Sequence, residues 1–280
     1  MSGFSAAWLA LRESADHRSR NRALLATLAK ACAGNHEIAV VDLGCGTGSN
    51  LRACAPHLPP RQRWRLVDHD PALLTAASGQ LSAWADTCAS ADGGLRLTRG
   101  NRSISVSFVC ADLAADVGAV LGAQPDLVTA AALFDLASAE WIEHVADAVV
   151  RRRTAFYAAL TYNGAESWTP CHPADAAVRN AFHAHLCRDK GFGPSAGLQA
   201  NDLLARAFTR SGYEVHAAVS PWRLGPADCA LIHELAKGIA GAVRQTGQVT
   251  EEEIAAWLDA RLNGSICMVG HTDVLALPAR

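Results

Sequence analysis

The stretch Val40-Val41-Asp42-Leu43-Gly44-Cys45-Gly46-Thr47-Gly48-Ser49-Asn50 decides how the rest of the chain is read. It is a short apolar run that ends in an acid and enters a turn with glycine at every second position. Glycine reaches backbone conformations closed to other residues and puts no Cβ between the chain and a ligand. A helix that follows such a turn offers its free N–H groups to an anion. The stretch therefore reads as a strand, a ligand-hugging turn and a helix start, and it points to a nucleoside-type cofactor. A dinucleotide fingerprint spaces its small residues as Gly-x-Gly-x-x-Gly or Ala. Counted from Gly44 and Gly46, that third position falls on Ser49, so Gly-x-Gly-x-Gly is a different pattern.

Outward from the turn, apolar or alternating runs recur at 38–43, 64–67, 104–109, 126–132 and 154–161, separated by alanine-rich segments suited to helices. Strands alternating with helices predict an α/β fold with a doubly wound, mostly parallel sheet covered on both faces. Residues 4–32 read as one or two helices, because Trp8, Leu9, Leu11, Leu24, Leu25 and Leu28 fall at helical spacing. They form an expected N-terminal cap over 1–35, ahead of a main domain over 36–280. Gly100-Asn101 between 95–97 and 104–106 suggests a small hairpin before the third strand. After Thr161 the pattern breaks, and the segment 163–199 reads as an insertion suited to a lid or substrate wall. A helix at about 200–211, a short strand at 213–217, two helices across 226–262 and a last apolar run at 266–277 complete the order.

Half of the 280 residues are hydrophobic and 19% are charged, enough for one large core with insertions. A formal charge of −2 gives no global attraction to polyanions, so no nucleic-acid partner is expected. The nine cysteines form no Cys-x-x-Cys pair and read as reduced thiols of a cytoplasmic protein. The apolar segment 4–11 is short and runs at once into Arg12 and Glu13, unlike a signal peptide. No stretch approaches the roughly 20 apolar residues of a membrane span, so no membrane partner is expected.

Three further stretches follow the glycine turn in order. Leu66-Val67-Asp68-His69-Asp70-Pro71 places an acid at the end of the second strand, and Phe108-Val109-Cys110-Ala111-Asp112-Leu113 places another at the end of the third. Asp126-Leu127-Val128-Thr129-Ala130-Ala131-Ala132-Leu133-Phe134-Asp135 forms the fourth strand and its exit. Together these residues resemble the class I S-adenosylmethionine (SAM) dependent methyltransferases. The resemblance covers residues 38–135 and implies a seven-stranded sheet whose last strand is antiparallel, with SAM as cofactor. It implies that Gly44, Cys45, Gly46 and Gly48 cradle the cofactor and that Asp68, beside His69, meets the ribose diol. Asp112 and Leu113 then meet the adenine, and Ala132 passes beside the methionine part. Asp70 precedes Pro71 and reads instead as a helix N-cap with proline at N1. Asp42 is expected near the methionine ammonium, or else as a carboxylate tying down the amides of the glycine turn.

The substrate half is less legible, because transfer of a methyl from a sulfonium chiefly requires alignment of acceptor, carbon and sulfur. A base is needed only for a weak nucleophile, and no catalytic residue is assigned from the sequence. Phe134 and Asp135 after the fourth strand, Tyr162 and Asn163 after the fifth, and Trp222 and Arg223 after the sixth are the candidate acceptor contacts. His172, His183, His185, Asp189 and Lys190 lie in the insertion. His183 and His185 sit on a helical segment, where residues two apart diverge, so no metal site is assigned. Run 189–194 is glycine-rich and suits a hinge or a plain surface turn. Arg12, Arg18, Arg20 and Arg22 accompany Glu13 and Asp16, either as a solvated helix with internal pairs or as a source of cations for the site. Trp8 reads as core packing.

The reading is a methyltransferase for a small-molecule acceptor. Protein or RNA methylation, a non-catalytic SAM-binding module and a nicotinamide-linked oxidoreductase are the competing readings. The Asn- or Asp-Pro-Pro-aromatic pattern of exocyclic-amine methylation is absent at Ala132-Leu133-Phe134-Asp135, and Ser49 weakens the nicotinamide reading.

Overall fold

The computed structural model describes residues 4–91, 93–122 and 124–279. Its parallel centre comprises β1 (Ile38–Leu43), β2 (Arg61–Asp68), β5 (Arg102–Cys110), β6 (Leu127–Ala131) and β7 (Ala155–Thr169). A hairpin edge adds β3 (Thr87–Ala91) and β4 (Gly94–Arg99), and the other edge adds β8 (Tyr213–Val219), β9 (Trp222–Leu224) and β10 (Ile266–Pro278). The order across the sheet is β3-β4-β5-β2-β1-β6-β7-β10-β8, with β9 paired to β10. β5-β2-β1-β6-β7 are mutually parallel, and β10 inserts antiparallel between β7 and β8. The ten strands are the expected seven plus the two-stranded β3-β4 extension and the short β9. The turn at Gly100-Asn101 joins β4 to β5 as the sequence suggests, but β3 is an addition.

One face carries α5 (Val117–Leu121), α6 (Ala139–Arg151) and α8 (Ala200–Arg210) over Phe134, Trp141, Phe156 and Phe208. The opposite face carries α2 (Arg22–Cys32), α3 (Ser49–Cys54) and α4 (Pro71–Trp84) over Leu28, Trp64 and Tyr157. Local chemistry starts these helices: Asp70 caps α4 by accepting from Ala72 N–H with Pro71 at the first position, and Asn21 caps α2.

A third apolar cluster is built on β9 and on the paired extensions of β7 and β10 and gathers α1 (Ala6–Ser19), α7 (Asp175–Leu186), α9 (Cys229–Arg244) and α10 (Glu251–Leu262) around Trp168, Trp222 and Trp257. Two expectations change here. The N-terminal segment is not one cap, because α2 packs on the sheet whereas Trp8, Leu11 and Ala15 of α1 belong to the third cluster. The segment after Thr161 does not begin as a loop. β7 continues for 15 residues to Thr169 because β10 pairs with it along the whole extension, Thr161 facing Thr272 and Trp168 facing Cys267. Arg261 locks this region, donating to Asp175 Oδ1 at 2.8 Å and to the Pro170 carbonyl at 2.6 Å between the rings of Trp168 and Trp257.

The junction between α1 and α2 is held by Asp273 of β10. Its buried carboxylate accepts from Tyr157 Oη at 2.8 Å, Leu160 N–H at 2.8 Å, Ser220 Oγ at 2.5 Å and Asn21 N–H at 3.0 Å. Leu160 holds a left-handed φ of 57°, a conformation that persists only when its surroundings over-determine it. Replacing Asp273 by alanine strands three buried donors and one half-buried one, and the expected loss of unfolding free energy is about 3–5 kcal/mol. Denaturant unfolding of Asp273→Ala checks this, and a loss within about 0.5 kcal/mol of wild type would contradict it.

Candidate cofactor and acceptor site

The carboxyl ends of four neighbouring strands, β5, β2, β1 and β6, bring the expected cofactor residues into one row. Between β1 and α3, Gly44, Gly46 and Gly48 hold φ values of 63°, 53° and 75°. These are left-handed, and glycine takes them without steric cost. The turn is pinned from β2: Gly46 N–H donates to Asp68 Oδ2 at 2.8 Å and Cys45 N–H to the Val67 carbonyl at 2.9 Å. Asp68 Oδ1 accepts from Asp70 N–H at 3.0 Å, which leaves about two of the roughly four acceptor positions of this carboxylate open. His69 is exposed, with Nδ1 3.5 Å from Asp68 Oδ1.

The acid that ties down the glycine turn is thus Asp68, and Asp42 does something else. Asp42 is fully buried, and its Oδ1 accepts from Asn50 Nδ2 at 2.6 Å while Oδ2 has no partner among the described residues. Asn50 also reaches Thr129 Oγ1 at 3.1 Å, and that hydroxyl donates to the Tyr157 carbonyl at 2.8 Å. Burial pushes the Asp42 carboxyl up to about 7, against the Asn50 bond and the nearby Arg20 charge. Burial likewise raises the Cys45 thiol. Asp112 is exposed at the end of β5, accepting from Ala114 N–H at 2.9 Å, while Leu113 is buried and its carbonyl accepts from Trp141 Nε1 at 2.7 Å. Ala132 leaves β6 at φ 51° with its N–H on the Ala159 carbonyl.

α1 lies across this row. A Cβ added at Gly46 would stand 2.9 Å from Leu9 Cδ1, and one at Gly44 would stand 3.3 Å from Leu133 Cδ1. Glu13 receives two bonds from Arg52 of α3, at 2.7 and 2.6 Å, and His17 Nε2 lies 3.0 Å from Ser49 Oγ. Arg12 bonds Asp16 through two nitrogens at 2.9 and 3.1 Å and stacks over Trp222 at 4.9 Å, and Trp222 Nε1 donates to the same Asp16. Arg12 and Asp16 thus form the expected internal pair but in a buried setting, Glu13 pairs across to α3, and Arg18 is exposed and meets Asp228 at 2.7 Å. Trp8 packs against the third cluster, as read.

On the acceptor side, Asp135 lies in a single 3₁₀ turn, Phe134–Leu136, after β6. It is buried with Oδ1 unpartnered among the described residues, and burial pushes its carboxyl up to about 6, opposed by backbone hydrogen bonds and by Arg12. Tyr162 Oη and His183 Nε2 are 3.0 Å apart. His271, the register partner of Tyr162, stacks on Trp222 at 5.2 Å, and burial with the Arg12 charge takes its imidazole down to about 3. Sequence reasoning missed His271, whose only signal is a lone imidazole in the apolar run 266–277.

Other candidates are placed differently. Phe134 is 1% exposed and packs on Trp141 and Phe156 at 5.7 and 5.5 Å, so it belongs to the core because the turn directs its ring under the sheet. Trp222 is 2% exposed and serves as a wall behind Arg12. Arg223 is exposed on β9, and Asn163 spends its amide on Thr272 Oγ1 at 3.1 Å. His172 accepts from Ala174 N–H, and His185 turns to Gln245, away from His183. Asp189 caps the amides of Gly191 and Gly193, and Lys190 leans on His185. Among the described residues no three His, Cys, Asp or Glu side chains gather as a metal site, and no helix is long and apolar enough to cross a membrane.

No protein-family model matches the chain, and no curated protein matches it in sequence. Among solved structures it is similar to a cyclopropane-fatty-acyl-phospholipid synthase-like protein from Lactobacillus casei, with 15% identity over 98% of this chain and 95% of that one and a TM-score of 0.57. It also matches SAM-dependent methyltransferases solved with S-adenosylhomocysteine, from Geobacter sulfurreducens (16% identity, all of both chains, TM-score 0.48) and Thiobacillus denitrificans (17%, 99% of each, 0.46). The first likeness, together with the strand order and the antiparallel β10, defines the class: the chain has the class I methyltransferase fold.

Three carboxyls raised by burial, Asp42, Asp135 and Glu166, make stability depend on pH. The folded chain holds these protons more tightly than the unfolded chain, whose aspartates titrate near 4, so stability falls as pH rises from about 4 to about 7 and then levels. Asp42→Asn removes the part of that fall due to Asp42, an effect on the order of 2–4 kcal/mol. Denaturant midpoints at about pH 4 and about pH 8 check it, and an Asp42→Asn protein with the same pH slope as wild type would refute the assignment.

Proposed function

We propose that the chain is a SAM-dependent methyltransferase acting on a small molecule. The observation that carries this reading is the glycine turn with its two buried acids: an open, left-handed backbone at Gly44, Gly46 and Gly48, and an unpartnered Asp42 Oδ2 beneath it. An orphaned buried carboxylate oxygen suits a cationic ligand group, and the amino group of SAM is one. Gly44, Gly46 and Gly48 would hold the chain of the cofactor, with Asp68 and His69 at the ribose, Asp112 and Leu113 at the adenine, and Cys45 and Ala132 alongside. A SAM bound there would supply a methyl group on a sulfonium, with S-adenosylhomocysteine as the leaving group.

The chain's part is to orient the acceptor, exclude water and take a proton. α1 roofs the row, and its pairs with α3 hold that roof in place. Asp135 is the proton acceptor: its free Oδ1 and its pKa of about 6 leave it ionised at neutral pH, yet it is basic enough to receive a proton. His271 stays neutral and, with Trp222, forms the wall opposite Tyr162.

Incubation with methyl-labelled SAM and a host extract divided into small-molecule, protein and RNA fractions tests the reading. Label is expected in the small-molecule fraction, and label confined to protein or RNA would overturn it. With that fraction as substrate, kcat/KM is expected to rise with pH through about 6, and Asp135→Asn to lower kcat about 10²-fold and flatten the profile. An unchanged profile in Asp135→Asn would remove this residue from the chemistry.

A further inference from the structure

Resting on that reading, we propose that the acceptor carries a carboxylate, which Arg179 of α7 binds. Arg179 is half-buried, and among the described residues no hydrogen bond or ion pair engages its guanidinium. Three arginines of the interior meet a carboxylate of the chain, Arg12 with Asp16, Arg52 with Glu13 and Arg261 with Asp175, whereas buried Arg20 reaches only Cys54 Sγ at 3.7 Å. Arg179 keeps part of its surface in water and no described group of the chain takes its five N–H donors, so its guanidinium is open to a ligand anion.

The surroundings of Arg179 form a receptor. Residues 179, 182 and 183 stand three and four apart on α7 and share one face. That face meets Tyr162, whose ring lies 6.1 Å from Phe182 and whose hydroxyl lies 3.0 Å from His183 Nε2. The Arg179 charge opposes the rise of the Tyr162 and Glu166 pKa values and adds to the fall of that of His183. Glu166 is the acid nearest to serving as its partner, but its carboxylate takes the Trp168 indole N–H and forms no ion pair with Arg179. Burial and Arg179 both lower the His183 pKa, which leaves Arg179 as the cation of this face. A planar guanidinium matches a carboxylate through two parallel N–H bonds, and one positive charge balances one negative charge. Tyr162 touches this face through Phe182 and His183, and its backbone N–H donates to Asp135. The acid group is thus anchored at one end of the acceptor and the nucleophile is presented at the other.

Two readouts test this. Labelled product made by the wild-type protein is passed over an anion exchanger at neutral and at strongly acid pH. Retention at neutral pH and release in acid are expected. Retention under both conditions, which marks a phosphate or sulfate, or no retention at all, overturns the proposal. Arg179→Gln is expected to raise KM for the acceptor fraction by about tenfold, the loss of roughly one charge-assisted bond. An unchanged KM overturns the proposal.

The second readout needs no turnover. With S-adenosylhomocysteine present, benzoate is expected to raise the Tm of the wild-type protein, benzamide to leave it unchanged, and Arg179→Gln to abolish the benzoate shift. No shift in wild type, or an equal shift in the variant, overturns the carboxylate site. A benzoate shift that depends on Arg179 in a protein that transfers no label would leave the site standing and remove the methyl-transfer reading.

Discussion

Three residues in five, Gly44, Gly46 and Gly48, hold left-handed backbone, and the geometry of the whole cofactor edge depends on that constraint. The turn lets a buried parallel strand reverse into α3 while keeping its amides toward the strand ends. One of those amides is spent on Asp68, which fixes the turn against β2. Asp42, Asn50 and Thr129 then brace the turn from below, linking β1, α3 and β6. Because α1 rests Leu9 over Gly46, the N-terminal helix takes its position from the absence of a side chain there.

The second determinant is β10. By running antiparallel beside the full length of β7 it carries the sheet past the cofactor edge and creates a base for α1, α7, α9 and α10. His271 and Asp273 on this strand serve different ends two residues apart. Asp273 gathers four donors and holds Leu160 in its left-handed state, whereas His271 turns to Trp222 and Tyr162. The residues proposed to face the acceptor thus come from parts of the chain more than 250 residues apart, Arg12 and His271 being the extremes.

The central strands were legible because strands buried on both faces read as near-continuous apolar runs. The glycine turn and the Asp70-Pro71 helix start were legible because their chemistry is local. The extension of β7 was not, since Asn163-Gly164-Ala165-Glu166-Ser167 has the composition of a loop and becomes a strand only through pairing with β10. Phe134 illustrates the same limit at the site: an aromatic after a strand end looks like a substrate contact until Trp141 and Phe156 are seen enclosing it. His271 and Arg179 carry no local signature at all. Their meaning lies in what is missing around them, a hydrogen-bond partner for one and a carboxylate for the other, and only tertiary structure reveals a missing neighbour.

The central claim is that the glycine turn and its acids bind a SAM-type cofactor rather than a nicotinamide dinucleotide. Calorimetric titration of the purified protein with S-adenosylhomocysteine, followed by challenge with NAD, tests it most directly. Saturable binding of one S-adenosylhomocysteine per chain, undisturbed by NAD, is the predicted result. Displacement by NAD, or no binding of S-adenosylhomocysteine, would contradict it.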